Sequence, residues 1–446
     1  MSGRSRRYGR VRAAGAALVL AGVLSVGGAV IGGATGAPEP VRTAPPAADP
    51  ARLGAADLDR AVSALQDHLR SQPRDFTSWA NLGTAYVEQA RTDGAPSRYP
   101  QAERALSRSL GLRPGNDAAL AARAGLAAAR HDFTGALRDA RAALTANPYN
   151  ERALALRIDA LVELGRYTQA ERAAAEADAR RPGIPVFTRY AYVLELRGDT
   201  KGAREVLNRG LASASSPPDR AYVATALGRL SWQRGAYERA LGHYATALRA
   251  APSYLPALEG RAAARAGTGD TAAAIGDLER VVRRAPLPGP LVALGELYEA
   301  KGREAAARRQ YALVGAWTSL ARASGVNTDL DTALAAADHG DRRAALTAAR
   351  DEWRRRHTVH TADALAWALH VNGRDAEALA PARRATAHGL RDATLLYHRG
   401  VIEQETGHKS AAQRLLSAAL DLNPRFSPLG SRDARERLTA LRGEGS

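Results

Sequence analysis

One alanine recurs through most of this chain at nearly constant spacing. It stands at Ala61, Ala102, Ala136, Ala170, Ala203, Ala240, Ala274, Ala307, Ala345, Ala378 and Ala412, with intervals of 41, 34, 34, 33, 37, 34, 33, 38, 33 and 34 residues. Five residues before most of these alanines is a glycine: Gly165, Gly198, Gly235, Gly269, Gly302, Gly340, Gly373 and Gly407. Twelve residues after many of them is a proline: Pro73, Pro114, Pro148, Pro182, Pro252, Pro286 and Pro424. Each residue type has a physical meaning in that order. Glycine adopts the left-handed conformation that ends one helix, alanine lets a second helix approach closely, and proline prevents that helix from continuing. A 446-residue chain is too long for one compact core, and the period predicts an elongated array instead. The abundance of Ala, Leu, Arg and Glu, all strong helix formers, predicts an all-α fold.

The repeat resembles the tetratricopeptide repeat, a helix–turn–helix unit of about 34 residues. Trp79, Asn81, Leu82, Gly83 and Tyr86 match its first helix. Leu227, Gly228, Gly235, Tyr237, Ala240, Tyr244, Ala247 and Pro252 carry nearly the whole signature, and residues 396–424 give a second close match. The resemblance covers residues 58–426. It implies a right-handed α-solenoid of about ten units over residues 53–430, in which each repeat contacts only its neighbours. Residues 57–73 read as a second helix without its first, and the polar segment 431–446 as a C-terminal capping helix and tail. About seven extra residues lie between Trp79 and Ala102, and segments 213–219 and 315–330 depart from the register.

Residues 1–37 read as a basic block, with Arg4, Arg6, Arg7, Arg10 and Arg12, followed by a hydrophobic signal or anchor segment uncharged from Ala13 to Pro38. Residues 38–52 read as a Pro/Ala linker. The arginines orient the remainder outward, so an extracytoplasmic protein, membrane-anchored through residues 13–37 or secreted, is expected. Arg6-Arg7 is followed by residues that fit twin-arginine export poorly. The net charge of +17 raises the question of nucleic acid, but five of those charges precede the fold. An export segment and the lack of interleaved basic and aromatic residues argue against nucleic acid as a partner. The absence of cysteine removes disulfides, thiol catalysis and Cys-ligated zinc.

The stretch HTVHTADALAWAL places His357, His360 and Asp363 at steps of three, ligand types for a metal. The repeat register, however, puts His357 where seven other units have proline. The chain is expected to turn there, with Thr358 or Thr361 capping the next helix, Asp363 in its first turn, and Leu365, Ala366 and Leu369 in the core. No metal and no cofactor are therefore assigned. Phosphate-loop, zinc-hydrolase and serine-nucleophile motifs are absent from the sequence. The expectation is a non-catalytic scaffold or adaptor holding a protein or peptide ligand in the concave groove lined by first helices. The candidate partner-binding residues are Asn81, Arg123, Arg157, Trp232, Arg261, Tyr397, His398 and Arg399, the arginines being suited to carboxylates. The competing reading is that these arginines lay their stems over neighbouring repeats. Some intracellular tetratricopeptide domains grip a chaperone's terminal carboxylate with a Lys/Arg/Asn clamp. Asn81 is present here without the paired lysine, and that role is not carried over. The alternative expectations are an accessory subunit of an envelope enzyme or transport complex and, less favoured, a nucleic-acid-binding solenoid.

Overall fold

The computed structural model describes residues 55–93 and 96–443. The expected signal or anchor segment and the linker at 38–52 lie outside the described residues. Among the described residues the regular structure is helical, from α1 (Ala55–Ser71) to α22 (Gly430–Gly443). Ten antiparallel pairs lie between them: α2 (Phe76–Asp93) with α3 (Tyr99–Leu112), α4 (Asp117–Ala129) with α5 (Phe133–Ala146), α6 (Glu151–Glu163) with α7 (Tyr167–Arg180), α8 (Ile184–Leu196) with α9 (Thr200–Ser213), and α10 (Pro217–Trp232) with α11 (Tyr237–Ala250). The series continues with α12 (Leu255–Thr268) and α13 (Thr271–Arg284), α14 (Pro288–Ala300) and α15 (Glu304–Ala323), α16 (Asp329–His339) and α17 (Arg342–Arg355), α18 (Val359–Val371) and α19 (Asp375–Ala385), and α20 (Ala393–Glu405) and α21 (Lys409–Leu422). The half-repeat α1 and the closing helix α22 are where the sequence places them.

The local chemistry explains the boundaries. Gly165, Gly198, Gly235, Gly269, Gly302, Gly373 and Gly407 all have positive φ and turn the chain between paired helices. Gly340 does not, with φ of −142°. The α4–α5 turn has no glycine and uses His131 at φ 61°, the only non-glycine residue in that region among those described. Asp132, Asp199, Asp270 and Asp341 then cap second helices by accepting backbone N–H bonds. The recurrent alanines from Ala102 to Ala412 are buried at the hairpin contact. Across that contact a residue meets the one 16 positions later. A Cβ on Gly228 would lie 2.6 Å from the Tyr244 ring, and one on Gly400 would press on Leu416 at 2.9 Å. Gly83 instead faces Leu106, 23 positions later, seven more than 16. The insertion therefore lengthens the first hairpin's turn without shifting its packing face.

First helices of neighbouring repeats pack directly on one another, α2 on α4, α4 on α6, α10 on α12 and α18 on α20, and so form the inner wall. The array is not quasi-linear. It winds until its later turns rest on its earlier ones, about 190 residues back along the chain. Asn327 N–H donates to the Arg130 carbonyl at 3.1 Å, and its own carbonyl lies 2.6 Å from His131 Nδ1. Arg356 pairs with Glu163, and its guanidinium sits 4.8 Å over the Phe133 ring. Val359 N–H reaches the Tyr167 hydroxyl at 2.8 Å, while Tyr192 Oη and His360 Nε2 are 3.0 Å apart. Farther on, Asn423 Nδ2 donates to the Trp232 carbonyl at 2.9 Å and Arg425 N–H to the Tyr237 hydroxyl at 3.0 Å. The expectation that repeats touch only their neighbours is corrected here. The tips of the α4–α5, α6–α7, α8–α9 and α10–α11 turns form a seam with the turns that precede α16, α18, α20 and α22. The departure at 315–330 supplies the start of this seam: α15 runs for 20 residues rather than 14, and the loop after it carries Asn327.

Candidate binding groove

The arginines singled out on first helices are held within the fold. Arg123 on α4 makes a two-pronged contact with Asp139 on α5, at 2.7 and 3.0 Å, and Arg261 on α12 does the same with Asp277 on α13, at 2.8 and 2.7 Å. Both spacings are 16 residues, the hairpin's own facing register, and both aspartates are buried. Arg157 donates to Glu176 at 2.6 Å. Arg399 reaches Thr386 Oγ1 at 2.8 Å and Glu403 at 3.3 Å; the buried Glu403 also takes both prongs of Arg383. That Arg383 bond, foremost, holds the Glu403 carboxyl below its ordinary pKa. The partners of these arginines are a finding of the structure and not of the expectation above. The signal was present as an aspartate 16 positions after Arg123 and after Arg261.

Tyr397 and His398 lie in the core rather than on the wall, both at 0 % exposure. Tyr397 donates to Asp433 of the closing helix at 2.8 Å, and burial pushes its phenol well up. His398 Nδ1 lies 2.9 Å from Asp363 Oδ2, and its ring stacks on Trp367 at 4.0 Å. They face inward because each repeat's first helix is enclosed by two neighbours and its own partner. The same contact relocates Asp363, which is a buried residue of the second turn of α18 and not a first-turn acid. His357 falls in the turn before α18 as expected, and Thr358 and Thr361 form a reciprocal cap. Among the described residues no group of three or more His, Cys, Asp or Glu side chains is placed to hold a metal ion.

Asn81 is half-buried on α2 and makes no side-chain hydrogen bond among the described residues. Nearby, Arg152 of α6 lies over Gly125 of α4 and reaches Glu88 of α2 at 3.1 Å, strapping three first helices together. The inner wall opens farther along. There Trp232, α12, α14 and α16 surround a cavity of about 100 Å³, roofed by residues 425–428 of the later superhelical turn. Its walls are apolar, with Ala262, Ala266, Val292, Leu334 and Phe426 among them, and three carboxylates face it: Glu259, Glu296 and Asp331. Glu296 accepts from Ser427 Oγ at 3.4 Å and lies 3.5 Å from His339 Nε2. Burial lowers the His339 pKa, but the Glu296 hydrogen bond and charge outweigh it and leave a net rise. Glu259 makes no hydrogen bond or ion pair with the described residues, and burial alone pushes its carboxyl up to about 7. Asp331 is likewise raised, mainly by burial, with His131 and Arg356 opposing at longer range. Trp232 Nε1 is buried with no hydrogen-bond partner among the described residues.

Among the described residues, ten stacked helix pairs, a closing helix and an inner wall with an open pocket define a helix-hairpin repeat protein. Residues 191–254 match the tetratricopeptide repeat family, and pairs of the same length and register extend on either side. Residues 191–254 are thus of tetratricopeptide-repeat type. No curated protein sequence matches it. Among solved structures it is similar to a tetratricopeptide repeat protein from Parabacteroides merdae, at 18 % identity and a TM-score of 0.34 over 58 % of this chain and 98 % of that one. It is also similar to the Cut9–Hcn1 hetero-tetramer of the APC/C (12 %, TM-score 0.39, 86 % and 93 %). A third likeness is to a thermophilic TPR protein from Thermus thermophilus (23 %, TM-score 0.36, 41 % and 98 %).

Proposed function

We propose that this protein is a non-catalytic scaffold that holds a protein or peptide partner in its inner groove, on the extracytoplasmic side of a bacterial membrane. The observation that carries this reading is the pocket where α12, α14 and α16 line one continuous stretch of wall. Elsewhere the inner polar groups are largely spent on one another: Arg123, Arg157, Arg261 and Arg399 each have a partner in the fold. At the pocket, the half-buried Glu259 and the buried Trp232 indole N–H stand without one among the described residues, and polar groups withdrawn from water without partners cost stability unless a ligand supplies them. Such groups belong to a binding surface rather than to a scaffold's interior. The outward location rests on the basic block and uncharged run of residues 4–38.

A photo-crosslinking residue at Ala263, on the pocket wall, tests the reading in intact cells. Mass spectrometry is expected to recover one dominant partner from that position and not from an outer-face position such as Arg308. Recovery of nothing, or of the same proteins from both positions, would overturn it. For location, a reporter that works only in the cytoplasm, fused after Ser446, is expected to be silent. Full activity would place the solenoid inside.

A further inference from the structure

We propose that the pocket beneath residues 425–428 receives an aliphatic ammonium group carried on a peptide, that is, a lysine side chain of the bound partner. The inference deepens the scaffold reading and rests on it.

Shape and polarity point the same way. A cavity of about 100 Å³ is of the order of one side chain, and its alanine, valine and leucine walls suit a methylene stem. The polar groups of the site ask for different atoms. Glu259 and Asp331, without hydrogen bonds among the described residues, present negative charge to whatever enters, and Glu296 adds to the field. The arginine at the rim, Arg425, lies with its guanidinium 3.3 Å from where a Gly269 Cβ would be, on the α12–α13 turn, and on neither carboxylate. Trp232 Nε1, buried and unpartnered, requires an acceptor. A simple amine has a cation and no acceptor, whereas a lysine within a peptide brings its ammonium together with a backbone carbonyl. The indole face adds attraction for a cation. A carboxylate-bearing ligand, the occupant expected for a groove of arginines, would meet like charge here.

The charge logic has a pH signature. Burial pushes the Glu259 carboxyl up to about 7. Entry of a cation favours its ionised form, so binding at neutral pH releases protons and strengthens as pH rises. The other groups facing the site act in the same direction or not at all. As pH rises Asp331 gains negative charge and His339 loses its positive charge, so both act in the same direction, while the Tyr311 phenol, pushed up mainly by burial, stays neutral; Glu296 and Arg425 also face the site.

The test uses the full chain and three probes: acetyl-Ala-Lys-Ala-amide, the same peptide with norleucine for lysine, and n-butylamine. Binding is read from the Trp232 indole N–H resonance, assigned with Trp232→Phe. The lysine peptide is expected to shift that resonance saturably, with the norleucine peptide weaker by about tenfold or more. Glu259→Gln is expected to cost about the same factor while leaving the fold as stable or more so, since it removes an unpaired carboxylate from apolar surroundings. Equal binding of the lysine and norleucine peptides, or an affinity indifferent to Glu259→Gln and Asp331→Asn, would overturn the ammonium site. Butylamine binding as tightly as the lysine peptide would overturn the peptide source and leave a site for free amines. A crosslinked partner whose capture ignores Glu259→Gln would remove the pocket from a scaffold reading that otherwise stands.

Discussion

The Val359 backbone N–H donates to the hydroxyl of Tyr167 at 2.8 Å, across 192 residues of chain. Val359 is the first residue of α18, and a first-turn N–H has no acceptor within its own helix. The bond therefore reports contact between superhelical turns, uncontaminated by helix formation. Tyr167 is drawn into the seam in other ways as well: burial pushes its phenol up to about 12, and its ring meets His388 edge-on at 5.3 Å. Two distant repeats are thus made to share stability, which a simple stacked array does not do.

Gly165 sits at the tightest point of that seam. Its φ is +71°, and a Cβ there would collide with the His357 carbonyl. Gly165→Ala is expected to cost more than the ~1 kcal/mol of left-handed strain alone. Hydrogen exchange should show protection lost both around residues 163–167 and around 356–360. Loss confined to the first group would mean that the turns are not coupled.

Acid should loosen the seam through His360. Burial, the leading cause, holds its pKa below the ordinary imidazole value, although Asp392, Glu163 and Asp363 pull upward; Arg356 adds to the lowering. The unfolded chain then binds the proton more readily, so this stabilisation is complete above the unfolded pKa and is lost as pH falls through the folded one. Unfolding midpoints at about pH 7.5 and about pH 5.5 should fall further for the wild type than for His360→Phe. His339, whose pKa is raised, works in the opposite sense and is common to both proteins. Identical pH dependence in the two would show that His360 does not titrate against the fold.

Arg123 is predicted to be a rivet and not a grip. Arg123→Gln leaves the buried Asp139 with only the adjacent Arg138, and about 1–3 kcal/mol of stability should be lost. Adding Asp139→Asn should restore part of it. Urea unfolding of the single and double variants gives the answer. A single variant as stable as wild type, but poor at partner capture, would return the arginine to the binding surface.

Much of the fold was legible because the repeat signals are local. A left-handed glycine, a small residue at the hairpin contact and a proline stop each act within one unit, so Gly235, Ala240 and Pro252 announce one repeat without reference to the others. The superhelical seam was not legible. Tyr167 with Val359, and Gly198 with Gly389, whose carbonyl oxygen lies 2.8 Å from where a Cβ would stand, meet only through curvature summed over several repeats. The candidate site divides along the same line. Trp232, which lines the pocket, is legible in the sequence as a first-helix residue. Glu259 resembled any solvated helix carboxylate, because its isolation depends on residues 425–428, far along the chain. Asp139 and Asp277 were within reach of a 16-residue rule that the hairpin geometry supplies.

The repeats form one body closed by contact between successive turns, and exchange of the Val359 amide is the sharpest probe of that closure. In the wild type its hydrogen exchange is predicted to be slow, and in Tyr167→Phe it should approach the rate of a free first-turn amide while the amides of residues 363–371 stay protected. An amide at Val359 that already exchanges in the wild type as an exposed first-turn group would contradict the closed seam.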